Sequence, residues 1–205
     1  MFPLDHTCTL RVSFQCCKVI YMNSTYTLIA SKDDVHAAIK QVAEQIMNDY
    51  PTSPLFVSLL RGAAPFSSQL MHHIVELSRE YHPELDYMTV STYGAGRTAG
   101  EPFIVTDISP TTDIQDRVVI VLDDVLDKGV TADFVFSHLR NKGAKELKLA
   151  VLCDKKTHRI KDIEADYVGF TVKDSWLTGM GMDNAGEAKE AYRWLEEIWD
   201  VTPNA

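Results

Sequence analysis

The chain of 205 residues is 45% hydrophobic with a formal charge of -9 at pH 7, enough apolar material for one sizeable core or at most two small ones. The acidic balance, without any block of ~5 basic residues, argues against a nucleic-acid partner and for small-molecule partners. Cys8, Cys16, Cys17 and Cys153 show neither a CxxC spacing nor the density of a disulfide framework, which fits reduced thiols in a cytosol.

No apolar run approaches the ~18 residues of a membrane span, and Asp5 and His6 interrupt the stretch where a signal peptide would need apolar residues. A soluble cytoplasmic protein with no membrane partner is expected. In chain order, "TLRVSFQCCKVIYMNSTYTLIA" alternates loosely and reads as short strands around an Asn-Ser turn. "SKDDVHAAIKQVAEQIMNDY" follows as a helix, with Ser31 as N-cap, Asp33 and Asp34 in the first turn, and Val35, Ala38, Ile39, Val42 and Ile46 on one face. Pro51 and Pro54 end it.

Residues 55–60 form a short apolar strand, 61–64 a turn, and 65–81 a helix with Pro65 in its first turn. A strand over 87–93 leads into a Gly-rich loop, "GAGRTAGEPF", and "FIVTD" (103–107) resumes extended structure. Strand 117–122 is followed by helix 132–143, ended by Gly143, and then by strands 147–153 and 165–172 and a tail helix over 187–200. Strands alternating with helices predict an α/β fold with a mainly parallel central sheet. "GAGRTAG" lacks the GxGxxG spacing and precedes a strand, so it is not a dinucleotide loop, and His72-His73 diverge on a helix and make a poor metal pair.

The stretch "VVIVLDDVLDKGVTADF", Val118 to Phe134, carries the chemistry. In an open α/β sheet, ligands bind beyond the carboxyl ends of the strands, where Asp123, Asp124 and Asp127 stand. The turn Asp127-Lys128-Gly129-Val130-Thr131 opens a helix whose unpaired amides make a phosphate-sized anion site. Acids beside a phosphate site repel it unless they face hydroxyls or a hard cation. A sugar phosphate with Mg²⁺ meets both needs.

This stretch closely resembles the ribose-phosphate signature of type I phosphoribosyltransferases, with Lys128 where the family usually has Thr or Ser. Leu60-Arg61-Gly62 resembles the family's pyrophosphate loop, Thr92-Tyr93 its mobile loop, and "ADYVGFTVKDSWLTGMGMD" the purine segment of hypoxanthine-guanine phosphoribosyltransferases. The resemblance implies a single domain over 1–205, with a core of about 31–164 and a small hood from about 1–30 and 165–205. It implies Mg²⁺-dependent transfer of phosphoribosyl from phosphoribosyl pyrophosphate to a free 6-oxopurine. A xanthine-preferring enzyme and a regulatory nucleotide- or RNA-binding member of the fold are the alternatives.

By the same resemblance, Asp127 is the general base, and Asp123 and Asp124 hold ribose hydroxyls and metal. Lys128, Gly129, Val130 and Thr131 hold the 5′-phosphate, while Leu60, Arg61, Gly62, Thr92 and Tyr93 complete the phosphoribosyl pyrophosphate site. Lys155, Trp176, Leu177 and Asp183 meet the purine, Asp183 also serving the metal. After Asp183 the chain carries about four extra residues, so Arg193 is the expected pyrophosphate arginine and Lys189 the ungapped alternative. A homodimer or homotetramer is implied.

Overall fold

The computed structural model describes residues 18–21, 24–93, 99–184, 186 and 190–203. The first helix, α1 (Lys32–Asp49), starts as the sequence dictates: the Ser31 hydroxyl accepts from the Asp34 amide, and the Asp34 carboxylate accepts from the Ser31 amide. Its apolar stripe, Val35 to Ile46, packs against α2 (Ala64–Leu77).

Six strands form the main sheet: β3 (Leu55–Leu60), β4 (Glu84–Tyr93), β5 (Ala99–Thr106), β6 (Val118–Leu126), β7 (Glu146–Lys155) and β8 (Tyr167–Val172). Their spatial order is β5-β4-β3-β6-β7-β8, parallel throughout except for the antiparallel pairing of β5 with β4. Both faces are covered, which explains why the central strands read as unbroken apolar runs. Ile120, Leu122, Ala150 and Leu152 face α1 and α2, while the alternate residues Val119, Val121, Leu149 and Val151 meet α3 (Val130–Asn141) through Val135 and Leu139. Gly143, at φ +100°, closes α3 as expected.

A second, four-stranded sheet has the order β1-β2-β10-β9, from β1 (Lys18–Tyr21), β2 (Ser24–Ala30), β9 (Trp176–Thr178) and β10 (Ile198–Pro203). The hairpin expected in the N-terminal segment is β1 paired antiparallel with β2. The boundary expected at 164/165 falls ahead of β8, which belongs to the main sheet; the small sheet takes its C-terminal strands from Trp176 onward.

Three expectations fail. The tail over 187–200 is not a helix where it is described: residues 190–194 turn, and β10 inserts between β2 and β9. Ile198, Trp199, Val201 and Thr202 are strong strand formers, and pairing on both sides outweighs the helical tendency of the Glu- and Ala-rich stretch before them. The strand expected to stop at Leu122 continues to Leu126, so Asp123 sits opposite Val151 inside the ladder. The Gly-rich loop is also shorter than expected, because β5 already begins at Ala99; residues 94–98 lie outside the described ones.

Candidate active site

The turn after β3 meets both the carboxyl end of β6 and the segment that follows β9 in the small sheet, and close backbone approaches lock these segments together. A Cβ on Gly62, in the turn after β3, would overlap the Asp124 carboxylate at the end of β6. A Cβ on Gly181, just after β9, would overlap the Gly62 carbonyl and press on Pro65. Only glycine permits so close a stacking of three segments far apart in sequence. The Leu60-Arg61 peptide that opens this turn is cis.

Asp123 and Asp124 point from the last turns of β6 as a half-buried pair. The Asp124 amide donates to Asp123 Oδ1 and the Val125 amide to Asp124 Oδ1, both at 3.0 Å. Burial, then the neighbouring Asp124 charge, hold the Asp123 carboxyl well above the usual carboxylate range. Burial also raises Asp124, against hydrogen bonds and the Arg193 charge that pull it down. Such a pair is poised to receive hydroxyl donors or a cation.

Asp127 follows the strand, and its Oδ1 is buried without a hydrogen-bond partner among the described residues. A buried acceptor left open is costly unless a ligand completes it. Gly129, at φ +78°, is the N-cap of α3, which has no side-chain cap, so its first-turn amides lack intrahelical acceptors. Val130 and Thr131 begin that helix. The Lys128 carbonyl is tied to the amides of Ile160 and Lys161 at 3.0 and 3.2 Å, while the Lys128 side chain is exposed. No added Thr or Ser hydroxyl stands at this position.

Lys155 ends β7, one residue beyond Asp154, which pairs with Leu126. Leu177 is buried and Trp176 is 56% exposed on β9, beside β10. Thr92 and the backbone of Tyr93 end β4; the Tyr93 side chain is outside the described set, as is Lys189. Arg193 is 8% exposed and donates to Asp183 Oδ2 at 3.0 Å, to the Gly181 carbonyl and to Glu190. Arg61 lies on the other oxygen of Glu190, at 3.0 Å.

Two functional candidates were invisible in the sequence. Arg159 donates from Nη1 to the Asp127 carbonyl at 2.9 Å and pairs through Nη2 with Asp154, a carboxylate only 1% exposed. Glu190 joins Arg61 to Arg193. Neither side chain belongs to a recognisable local motif; both act through partners that only folding brings close.

Among the described residues no three His, Cys, Asp or Glu side chains form a ready-made metal cage. The donors nonetheless fit Mg²⁺, which takes hard oxygens and is commonly bound by one or two carboxylates together with substrate phosphates. The crowded Asp123–Asp124 pair would supply those oxygens, and Asp183 is paired with Arg193, whose charge acts on Asp124.

The model of the phosphoribosyl transferase domain matches residues 28–185, more than half the chain. The chain belongs to the phosphoribosyltransferase family. It is 33% identical over 178 residues to a hypoxanthine-guanine phosphoribosyltransferase of Bacillus subtilis, covering 86% of this chain and 93% of that one. It is 36% identical over 158 residues to one of Streptococcus thermophilus, covering 76% and 84%. Among solved structures, a hypoxanthine phosphoribosyltransferase from Staphylococcus aureus superposes with a TM-score of 0.75 at 31% identity, over 86% of this chain and 91% of that one. The phosphoribosyltransferase fold expected from the sequence is therefore present, with the mainly parallel sheet at its centre.

Proposed function

We propose that this phosphoribosyltransferase acts in purine salvage, moving the 5-phosphoribosyl group from phosphoribosyl pyrophosphate to a 6-oxopurine, hypoxanthine or guanine. A bond forms between the anomeric carbon and a purine ring nitrogen as the bond to the pyrophosphate oxygen breaks. IMP or GMP and pyrophosphate leave. The reading rests above all on the open Oδ1 of Asp127, which faces no donor among the described residues although it sits beside an uncapped helix N-terminus.

In this reading the amides of Gly129, Val130 and Thr131, with Lys128, hold the 5′-phosphate. Asp123 and Asp124 accept the ribose hydroxyls, which fixes the sugar for in-line displacement. Asp127 accepts the proton given up by the purine as its ring nitrogen attacks. Lys155 donates to the exocyclic oxygen, a bond adenine cannot accept, while Trp176 stacks on the ring and the Leu177 backbone reads its edge.

Leu60, Arg61, Gly62 and Arg193 receive the diphosphate, and Thr92 and Tyr93 cover the sugar. Asp183, Asp123 and Asp124 would hold Mg²⁺, which when bound offsets charge on the leaving group. The likeness to relatives named hypoxanthine-guanine phosphoribosyltransferase supports the choice of base. No helix among the described residues is long and apolar enough to cross a membrane. A cytoplasmic homodimer or homotetramer without nucleic-acid partners completes the proposal.

The test is pyrophosphate release from phosphoribosyl pyrophosphate and Mg²⁺ with hypoxanthine, guanine, xanthine or adenine in turn. Release with the first two and none with adenine is expected. Saturable binding without turnover on any base would defeat the reading, and preference for xanthine would redirect it.

A further inference from the structure

The guanidiniums of Arg61 and Arg193 are already bridged by one carboxylate. Glu190 Oε1 lies 3.0 Å from Arg61 Nη1, and Glu190 Oε2 lies 2.5 Å from Arg193 Nε. The two oxygens are divided between two cations, as two oxygens of a phosphate would be. The remaining Arg193 donors are also engaged: Nη2 with Asp183 and Nη1 with the Gly181 carbonyl. Arg193 is thus fully committed inside the protein while Arg61 is two-thirds exposed at its side chain, and Glu190 links the inner cation to the outer one.

Glu190 belongs to the stretch between Asp183 and β10. It is held at φ +64°, and Tyr192 at φ +60°, a region that side-chain-bearing residues seldom occupy without compensating contacts. Those contacts are in place: the Tyr192 ring stands edge-on to Tyr26 of β2 at 5.4 Å, and the Gly181 amide donates to the Arg193 carbonyl.

We propose that Glu190 is an internal stand-in for the diphosphate, occupying its arginines when the site is empty and having to be displaced when it fills. The inference rests on the assignment of Arg61 and Arg193 to the leaving group. Magnesium pyrophosphate offers more oxygens and more charge than one carboxylate, so it wins the exchange, but with reduced affinity. The displaced Glu190, still tethered nearby, then competes to regain its arginines and hastens departure of the product.

The experiment is calorimetric titration of inorganic pyrophosphate with Mg²⁺ into the full chain and into Glu190→Gln, Glu190→Ala and Arg193→Gln. If the bridge holds about nine molecules in ten, either Glu190 substitution tightens pyrophosphate binding by roughly tenfold. The KM for phosphoribosyl pyrophosphate falls with it, and kcat falls where product release limits turnover. Equal or weaker binding in both Glu190 variants, with Arg193→Gln still impaired, would show that Glu190 merely props the arginine and would overturn the inference alone. Undiminished binding in Arg193→Gln would overturn the site assignment beneath it and the inference together.

Discussion

Replacing Arg159 with Met should uncover how much of the phosphate loop depends on one buried ion pair. Asp154 is 1% exposed and its Oδ1 faces the Arg159 guanidinium, while Lys156 approaches its other oxygen only to 3.9 Å from an exposed position. Removing one partner of such a pair strands a buried charge at a cost of about 3–5 kcal/mol, and the distant lysine places this site near the lower end. At ~2–4 °C per kcal/mol for a chain of this size, a loss of about 3 kcal/mol should lower the melting point by about 6–12 °C. Because Arg159 also holds the Asp127 carbonyl at 2.9 Å, kcat should fall by roughly tenfold or more through misplacement of the proposed base. Urea unfolding followed by tryptophan fluorescence gives the stability change, and initial rates of pyrophosphate release give the other. The discriminating step is Asp154→Asn in the Arg159→Met background, which neutralises the stranded charge and should recover at least ~1 kcal/mol. A loss below ~1 kcal/mol for Arg159→Met, with no recovery in the double variant, would refute the argument.

Asp127→Asn removes the open carboxylate at constant shape, and kcat should fall by about 10²–10⁴-fold with binding of phosphoribosyl pyrophosphate retained; steady-state kinetics beside calorimetry checks both halves. The raised carboxyls of Asp123 and Asp124 make the folded chain bind protons more tightly than the unfolded one, so their contribution to stability declines as pH rises above the unfolded value of ~4 through the folded ones. Unligated Asp123→Asn should therefore melt higher than the parent at about pH 8 and converge with it near pH 4, and calorimetric scans that find no such convergence count against the coupling. Gly129→Ala puts a Cβ 2.6 Å from Ile163 Cγ2 at φ +78°. It should cost about 1–3 kcal/mol and raise the KM for the sugar substrate more than that for the base.

The α/β layout was readable because each level of the sequence agrees with it. Ser31 and Asp34 announce the start of α1, the apolar runs of β3, β6 and β7 demand two covered faces, and Gly129 marks the turn beneath a helix N-terminus. The tail was misread because Glu, Ala and Leu at helical spacing look amphipathic, whereas the exposure of Trp194 at 69% and the pairing of β10 are decided by partners far away in the chain. The acids expected past the strand lie within the carboxyl end of β6, since period-two alternation carries no signal for where a ladder stops when its neighbour also continues. Arg159 and Glu190 escaped notice for a related reason. Each reaches a carbonyl or guanidinium that lies in another segment, and an isolated Arg or Glu on a loop gives no hint of such a partner.

The order of the small sheet has a consequence for assembly. Among the described residues β9, which carries Trp176 and Leu177, pairs with that sheet only through β10, and β10 follows every other described element along the chain. A ribosome-bound nascent protein would thus complete its six-stranded platform, with the proposed sugar-phosphate turn on it, while β9 and the proposed nucleobase contacts still lack their neighbour. Truncation ahead of Ile198 should freeze it at that stage, leaving a fragment that recognises one half of the reaction and is blind to the other.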